Sequence, residues 1–190
     1  MNKRGRVIVI SGPSGVGKTS ICNRILDNRS DVRYSISVTS RPKRRGEKDG
    51  REYSFISEKE FRDWIKRGHF IEYATVHGNL YGTPRKQLEE NLEKGFHVIL
   101  DIDVQGAKKL MKTYPNGIFI FLTPPSLLEL AKRLVKRNTD QKREIRSRLK
   151  TARQELKYKS DYEYIVENRK LEETVKKVLV IIENETKSSD

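Results

Sequence analysis

Gly12-Pro13-Ser14-Gly15-Val16-Gly17-Lys18-Thr19 is the stretch that decides the fold. It follows the apolar run Val7-Ile8-Val9-Ile10, which reads as a short buried strand. It precedes Ile21, Ile25 and Leu26, which recur at helical spacing. Strand, glycine-rich loop and helix, with the spacing G-x-x-x-x-G-K-[ST], is the context of a phosphate-binding loop. Gly12, Gly15 and Gly17 carry no Cβ, so the backbone can curl around an anion with its N–H groups turned inward. The positive end of the following helix adds to that field. Lys18 supplies a mobile cation for the outer phosphates, and Thr19 a hydroxyl for a magnesium ion. Pro13, Ser14 and Val16 complete the candidate phosphate-binding loop.

Outward from the loop, apolar runs alternate with helical patterns. Val7–Ile10, Phe96–Ile102, Ile118–Leu122 and Tyr164–Val166 read as strands. Helices are expected over Lys18–Leu26, Glu58–Arg67, Pro84–Lys94, Gln105–Lys112, Leu127–Arg137, Ile145–Lys159 and Leu171–Glu183. Ser57 with Glu60, and Ser126 with Glu129, form capping boxes, while Gly68 and Gly95 terminate helices. Thr83 is expected to cap the helix that Pro84 opens. Continuous apolar strands alternating with helices imply a parallel sheet covered on both faces. The fold class is therefore α/β, a three-layer α/β/α domain with a parallel core sheet. Ser35–Gly82 breaks the rhythm and reads as an inserted, partly antiparallel subdomain, and Thr139–Arg148 as a charged, loop-like link in a basic helical arm.

The bulk composition sets outer limits. A chain of 190 residues makes one domain with insertions and needs no disulfide staples, and its single Cys22 admits no internal disulfide. No apolar run exceeds about five residues, far short of the ~20 that span a bilayer, so a cytoplasmic location is expected. The net charge of +14 points to an anionic partner. It is concentrated: Lys132–Lys159 holds twelve Lys/Arg against three Asp/Glu, and Arg41–Arg51 six against two. A nucleic-acid binder could concentrate charge in the same way, but Tyr158 is the only aromatic in the longer stretch, where stacking platforms are expected. Nucleic acid is thus a possible partner that nothing requires. Oligomeric state stays open.

Two further constellations carry chemistry. Leu100-Asp101-Ile102-Asp103 ends a strand, and spacing of two puts both carboxylates on one side of an extended chain. The carboxyl ends of parallel strands are where ligands bind. Magnesium bridging donor phosphates is the natural cation for such a pair, with Asp103 the first choice beside Thr19; the alternative for Asp103 is a helix cap. Ser37-Val38-Thr39-Ser40-Arg41-Pro42-Lys43-Arg44-Arg45-Gly46-Glu47, followed by Tyr53, sets two arginines among hydroxyls, a set suited to gripping a phosphate monoester from several sides.

These segments, with Phe70-Ile71-Glu72-Tyr73 and Gly78-Asn79-Leu80-Tyr81-Gly82-Thr83, resemble the guanylate kinase family in order and spacing, from Val7 to about Ile182. The resemblance implies transfer of the γ-phosphoryl group of ATP to GMP within purine nucleotide metabolism. It implies a core over 1–34, 89–126 and 160–190, a mixed α+β GMP-binding subdomain over 35–88 and an Arg-rich lid over 127–159. By the same resemblance Ser37, Arg41, Arg44, Tyr53 and Tyr81 hold the GMP phosphate, with Glu47 in the same site, and Glu72, Thr83 and Asp101 read the guanine. Lys18 and Arg41 with the lid arginines Arg133, Arg137 and Arg148 form the catalytic set, and Asn168 contacts the adenine of ATP. The acceptor is already an anion, so no general base is assigned, and His69, His77 and His97 are given no role. The lid departs from the family pattern at Arg137-Asn138-Thr139-Asp140, and Arg45 adds a charge. A regulatory GTPase would share the loop, and Asp103-Val104-Gln105-Gly106 fits its D-x-x-G element, but no N-K-x-D motif occurs. A non-catalytic, guanylate-kinase-like interaction module would be expected to have lost Lys18 and Thr19, both intact here.

Overall fold

The computed structural model describes residues 4–44, 46–51, 53–76, 78–136 and 142–187. Five strands form a wholly parallel sheet: β1 (Val7–Ser11), β2 (Val32–Tyr34), β7 (His97–Asp101), β8 (Ile118–Thr123) and β9 (Tyr164–Glu167), in the order β2-β7-β1-β8-β9. Their alternation decides the layers. Ile8 and Ile10 pack with Ile21 and Ile25 of α1 (Lys18–Asn28) and Val178 and Ile182 of α7 (Leu171–Lys187). Val7 and Val9 point the other way, onto Leu88 and Leu92 of α3 (Arg85–Glu93) and Ala107 and Leu110 of α4 (Val104–Thr113). This is the three-layer arrangement expected from the sequence. Because β1 is central, its carboxyl end opens between β7 and β8, the position at which such sheets bind ligands.

The region between β2 and β7 builds a second sheet. β3 (Val38–Thr39), β4 (Ser54–Phe55), β5 (Phe70–Val76) and β6 (Asn79–Pro84) run in the order β4-β3-β6-β5, antiparallel except for the β3–β4 pair. Its own small core gathers Val38, Phe61 and Phe70, with Trp64 and Ile65, under α2 (Glu58–Lys66). Phe61 is fully buried and stacks on Phe70 with ring centroids 4.4 Å apart.

Several boundaries move. Thr83 lies in β6, and Pro84 takes the cap position of α3. Asp103, not Gln105, sets the start of α4: its side chain accepts from Gly106 N–H at 2.9 Å. Most of the expected charged link is helical, since α6 runs Lys142–Glu155 before a 3-10 turn over Leu156–Asp161. The reason is packing. Ala152 is fully buried against Leu130 and Leu134 of α5 (Leu127–Lys136), and Ile145 and Leu149 extend that contact. Among the described residues no helix is long and apolar enough to cross a membrane. Phe61→Ala, which empties the centre of the smaller core, is expected to cost about 3–5 kcal/mol in urea unfolding. Val180→Ala, at a position 55% exposed, is expected to cost less than about 0.5 kcal/mol in the same measurement.

Candidate active site

A cavity lies between the two sheets, at the carboxyl end of β1. Ser14, Gly15, Gly17, Lys18 and Thr19 form one wall; Ser37, Arg41, Arg44, Tyr53, Glu72 and Tyr81 form the opposite one. Asp101 and Asp103 lie between them, and Arg148 and Glu155 of α6 complete the lining. Loop residues Gly12, Pro13 and Val16 shape the first wall without lining it.

Gly12, Gly15 and Gly17 have φ of 130°, 87° and 106°, values that residues bearing a Cβ rarely adopt. The loop is held from behind. Asn168 Nδ2 donates to Val16 O at 2.7 Å, while its Oδ1 accepts from the Thr174 hydroxyl at 3.0 Å. Lys18 Nζ donates to Gly12 O at 2.8 Å and sits 3.9 Å from Asp101 Oδ1. Thr19 Oγ1 donates to Asp101 Oδ2 at 2.5 Å.

Both members of the acidic pair line the cavity, with different partners inside the chain. Asp101, the last residue of β7, serves the loop side with Thr19 and Lys18. Asp103 lies beyond the strand, where it caps α4 and adds to the charge felt by Glu72. Two residues expected to meet the nucleotide make hydrogen bonds within the chain. The Asn168 side chain is committed to the loop and to Thr174 and lies outside the cavity lining. Arg133 donates to Asn168 O at 3.0 Å and Val16 O at 3.4 Å, so it braces the back of the loop rather than facing the cavity. Arg137, like His77 and Arg45, lies outside the described residues.

On the opposite wall Arg41 is buried yet fully engaged. It donates to both Glu47 carboxylate oxygens, at 2.8 and 3.0 Å, and its Nε to the Tyr81 hydroxyl at 3.2 Å. Burial works against the Arg41 charge, but the Glu47 carboxylate more than offsets it, and the guanidinium pKa is held above its usual value. Glu47 also accepts from Arg44 N–H at 2.7 Å. It is outside the cavity lining and holds the Arg41 guanidinium in place from behind. Burial pushes the Tyr53 phenol up, which keeps it a proton donor.

Glu72 sits opposite Thr83 in the β5–β6 pair, just past an irregularity in register. Thr83 donates its hydroxyl to Glu72 Oε1 at 2.6 Å from beneath the cavity surface. Gly106 makes room for the carboxylate, since a Cβ there would lie 2.5 Å from Glu72 Oε2. Burial pushes the Glu72 carboxyl up to about 7, with the Thr83 hydrogen bond opposing and the Asp103 charge adding. The sequence reading missed Gly106 as a spacing element and missed Glu155 altogether. The signal for the latter was its place seven residues after Arg148, on the same face of a helix.

The raised Glu72 carboxyl carries a stability consequence. Between about pH 4.5 and 7 the folded chain holds a proton that the unfolded chain has released, so this group lowers stability as pH rises through that window. Glu72→Gln, nearly neutral at pH 4.5, is expected to raise Tm relative to the parent at pH 8. Thermal melts of the ligand-free pair at the two pH values measure that difference.

The comparisons with known proteins agree with this geometry. The family model described as guanylate kinase matches residues 4–185. A guanylate kinase of Thermotoga maritima is 45% identical over 182 residues, 96% of this chain and 88% of the relative. One of Caldanaerobacter subterraneus subsp. tengcongensis is 46% identical over the same shares. The crystal structure of guanylate kinase from Anaplasma phagocytophilum superposes with a TM-score of 0.82 at 35% identity, over 97% of this chain and 88% of that one. A gluconokinase from Sinorhizobium meliloti, at 17% identity and a TM-score of 0.51, shares the fold alone. With the family model matched along nearly its whole length, the chain belongs to the guanylate kinase family.

Proposed function

We propose that the two walls of the cavity divide the reaction of this family, transfer of the γ-phosphoryl group of ATP to GMP with formation of ADP and GDP. The loop wall takes the donor. Inward N–H groups of the loop and the Lys18 ammonium neutralise the triphosphate, and Arg148 reaches the same space from α6. The opposite wall takes the acceptor. Arg41 and Arg44 with Ser37, Tyr53 and Tyr81 grip its phosphate. The core over 1–34, 89–126 and 160–190, the acceptor subdomain over 35–88 and the lid over 127–159 are the structural form of that division. Its main support is the separate small core under the acceptor sheet. A cytoplasmic location belongs to the same reading.

Base selection rests on Glu72. A carboxylate can accept from guanine N1–H and the exocyclic amine together, whereas adenine N1 would oppose it with a lone pair. Thr83 fixes the Glu72 oxygens, and Asp103, not Asp101, is the second carboxylate on that side. The Thr19 hydroxyl and Asp101 carboxylate are hard oxygen donors in contact, a set that fits magnesium. The remaining ligands of such an ion would come from phosphate and water. When bound, magnesium would supply charge neutralisation at the donor phosphates. The chain's own part is to place donor and acceptor in line and stabilise a loose transition state.

The observation that carries this reading is the facing of an intact phosphate loop and an arginine pair, Arg41 buried and Arg44 partly buried, across one cavity. Lys18→Ala is expected to lower ADP formation from ATP and GMP at least about a hundredfold with Tm little changed. Normal turnover would remove the loop from the reaction. Glu72→Gln is expected to lower kcat/KM for GMP about a hundredfold and narrow the gap to AMP. Because the ionised carboxylate is the form that accepts from guanine, parental kcat/KM for GMP is expected to rise with pH through about 7, and this rise to flatten in the variant. Unchanged discrimination between GMP and AMP would take Glu72 out of base recognition.

A further inference from the structure

Glu155 has no part in the chemistry above, yet its position is specific. It is the last residue of α6, only 7% exposed, and it lines the cavity. Its Oε2 has no hydrogen-bond partner among the described residues. Burial is the largest influence and, with the Asp103 charge, lifts the Glu155 carboxyl above its usual range; Lys18 and the Ser14 backbone N–H oppose that rise by favouring the charged form. A buried carboxylate with one unsatisfied oxygen is a costly arrangement, and its surroundings show what it faces. Lys18 and the loop N–H groups are the groups a nucleotide's phosphates require.

The packing around Glu155 presses it there. Arg148, Ala152 and Glu155 recur at helical spacing, so the arginine and the acid enter the cavity from one face of α6. Ala152 is locked against Leu130 and Leu134. Leu134 in turn rests on the loop, where a Cβ on Gly15 would come within 2.7 Å of Leu134 Cδ2. The helical arm therefore touches the phosphate loop at an apolar point, Leu134 on Gly15, and delivers a carboxyl group to it at a second point, Glu155 beside Ser14 and Lys18.

Accepting the donor-site reading, we propose that Glu155 is a positioning residue that competes with the donor's phosphates for Lys18 and the loop N–H groups, so that it sets how tightly ATP and ADP are held. Two anions cannot share those groups without mutual repulsion, and the lid's own carboxylate is already in place. Such competition weakens substrate and product together and favours ADP release. Arg148, on the same face, offsets part of the repulsion by meeting the incoming charge, so that one helix carries both an attractive and a repulsive group.

The test is calorimetric titration of the full chain and of Glu155→Gln with MgADP. The variant keeps the side chain's length and removes its charge. Its Kd is expected to fall about three- to tenfold, the range expected for one partly screened charge at close quarters. In turnover with GMP its KM for ATP is expected to fall with kcat no higher, whereas a residue that merely props the loop would leave KM for ATP unchanged or raised. If Glu155→Gln does not fold, Glu155→Asp carries the test: it withdraws the charge by one methylene and is also expected to tighten MgADP. Unchanged or weaker MgADP binding would overturn the proposal. A parent chain that bound no MgADP would overturn the donor-site reading, and this inference with it.

Discussion

A phosphate-binding loop turns its N–H groups toward the ligand, and its carbonyls must then find partners on the other side. That constraint organises much of this molecule. Gly12 O accepts from Lys18 Nζ, Pro13 O from Val16 N–H, and Val16 O from Asn168 Nδ2. Asn168 is held through Thr174 of α7 and its own N–H to Thr123 O of β8. Arg133 ties α5 to Val16 O and to the Asn168 carbonyl. The loop is thus bolted to the central strand, the neighbouring strand, the C-terminal helix and the helical arm. Asn168 and Arg133, which resemble nucleotide contacts in the sequence, also brace the loop from behind.

The acceptor wall solves a different problem. It must hold positive charge in a half-buried place without collapsing. Glu47 does this for Arg41 by accepting at both carboxylate oxygens from Nη2, which occupies that end of the guanidinium. Burial, with the Asp103 charge, lifts the Glu72 carboxyl to about 7 against the opposing Thr83 hydrogen bonds and the Lys109 charge. Arg41 is compensated and Glu72 is left poised; the poised group is the one assigned to discriminate between bases.

The sequence made the central sheet legible because its inner strands are continuous apolar runs that no loop could carry. The short edge strand Val32–Tyr34 escaped because only one of its three residues is buried. The pairing of β3 with both β4 and β6 escaped because it depends on contacts between distant segments. The charged start of α6 read as a loop because its helix is stabilised by a distant leucine pair rather than by local propensity. In the site, the loop and the arginine pair were legible because each is a local motif. The exchange of surroundings between Asp101 and Asp103 was not. Period-two reasoning holds only while the strand continues, and β7 ends at Asp101. Glu155 was invisible for a related reason, since its importance depends on where a helix packs.

The central claim is that one cavity aligns a triphosphate with a guanine monophosphate and cancels their repulsion. The most direct measurement is ADP release by the purified chain with ATP and magnesium, offered GMP, AMP, CMP, UMP or dTMP in turn. The account predicts release that depends on GMP and exceeds that with every other monophosphate by orders of magnitude. Equal release with AMP, or none with GMP, would contradict it.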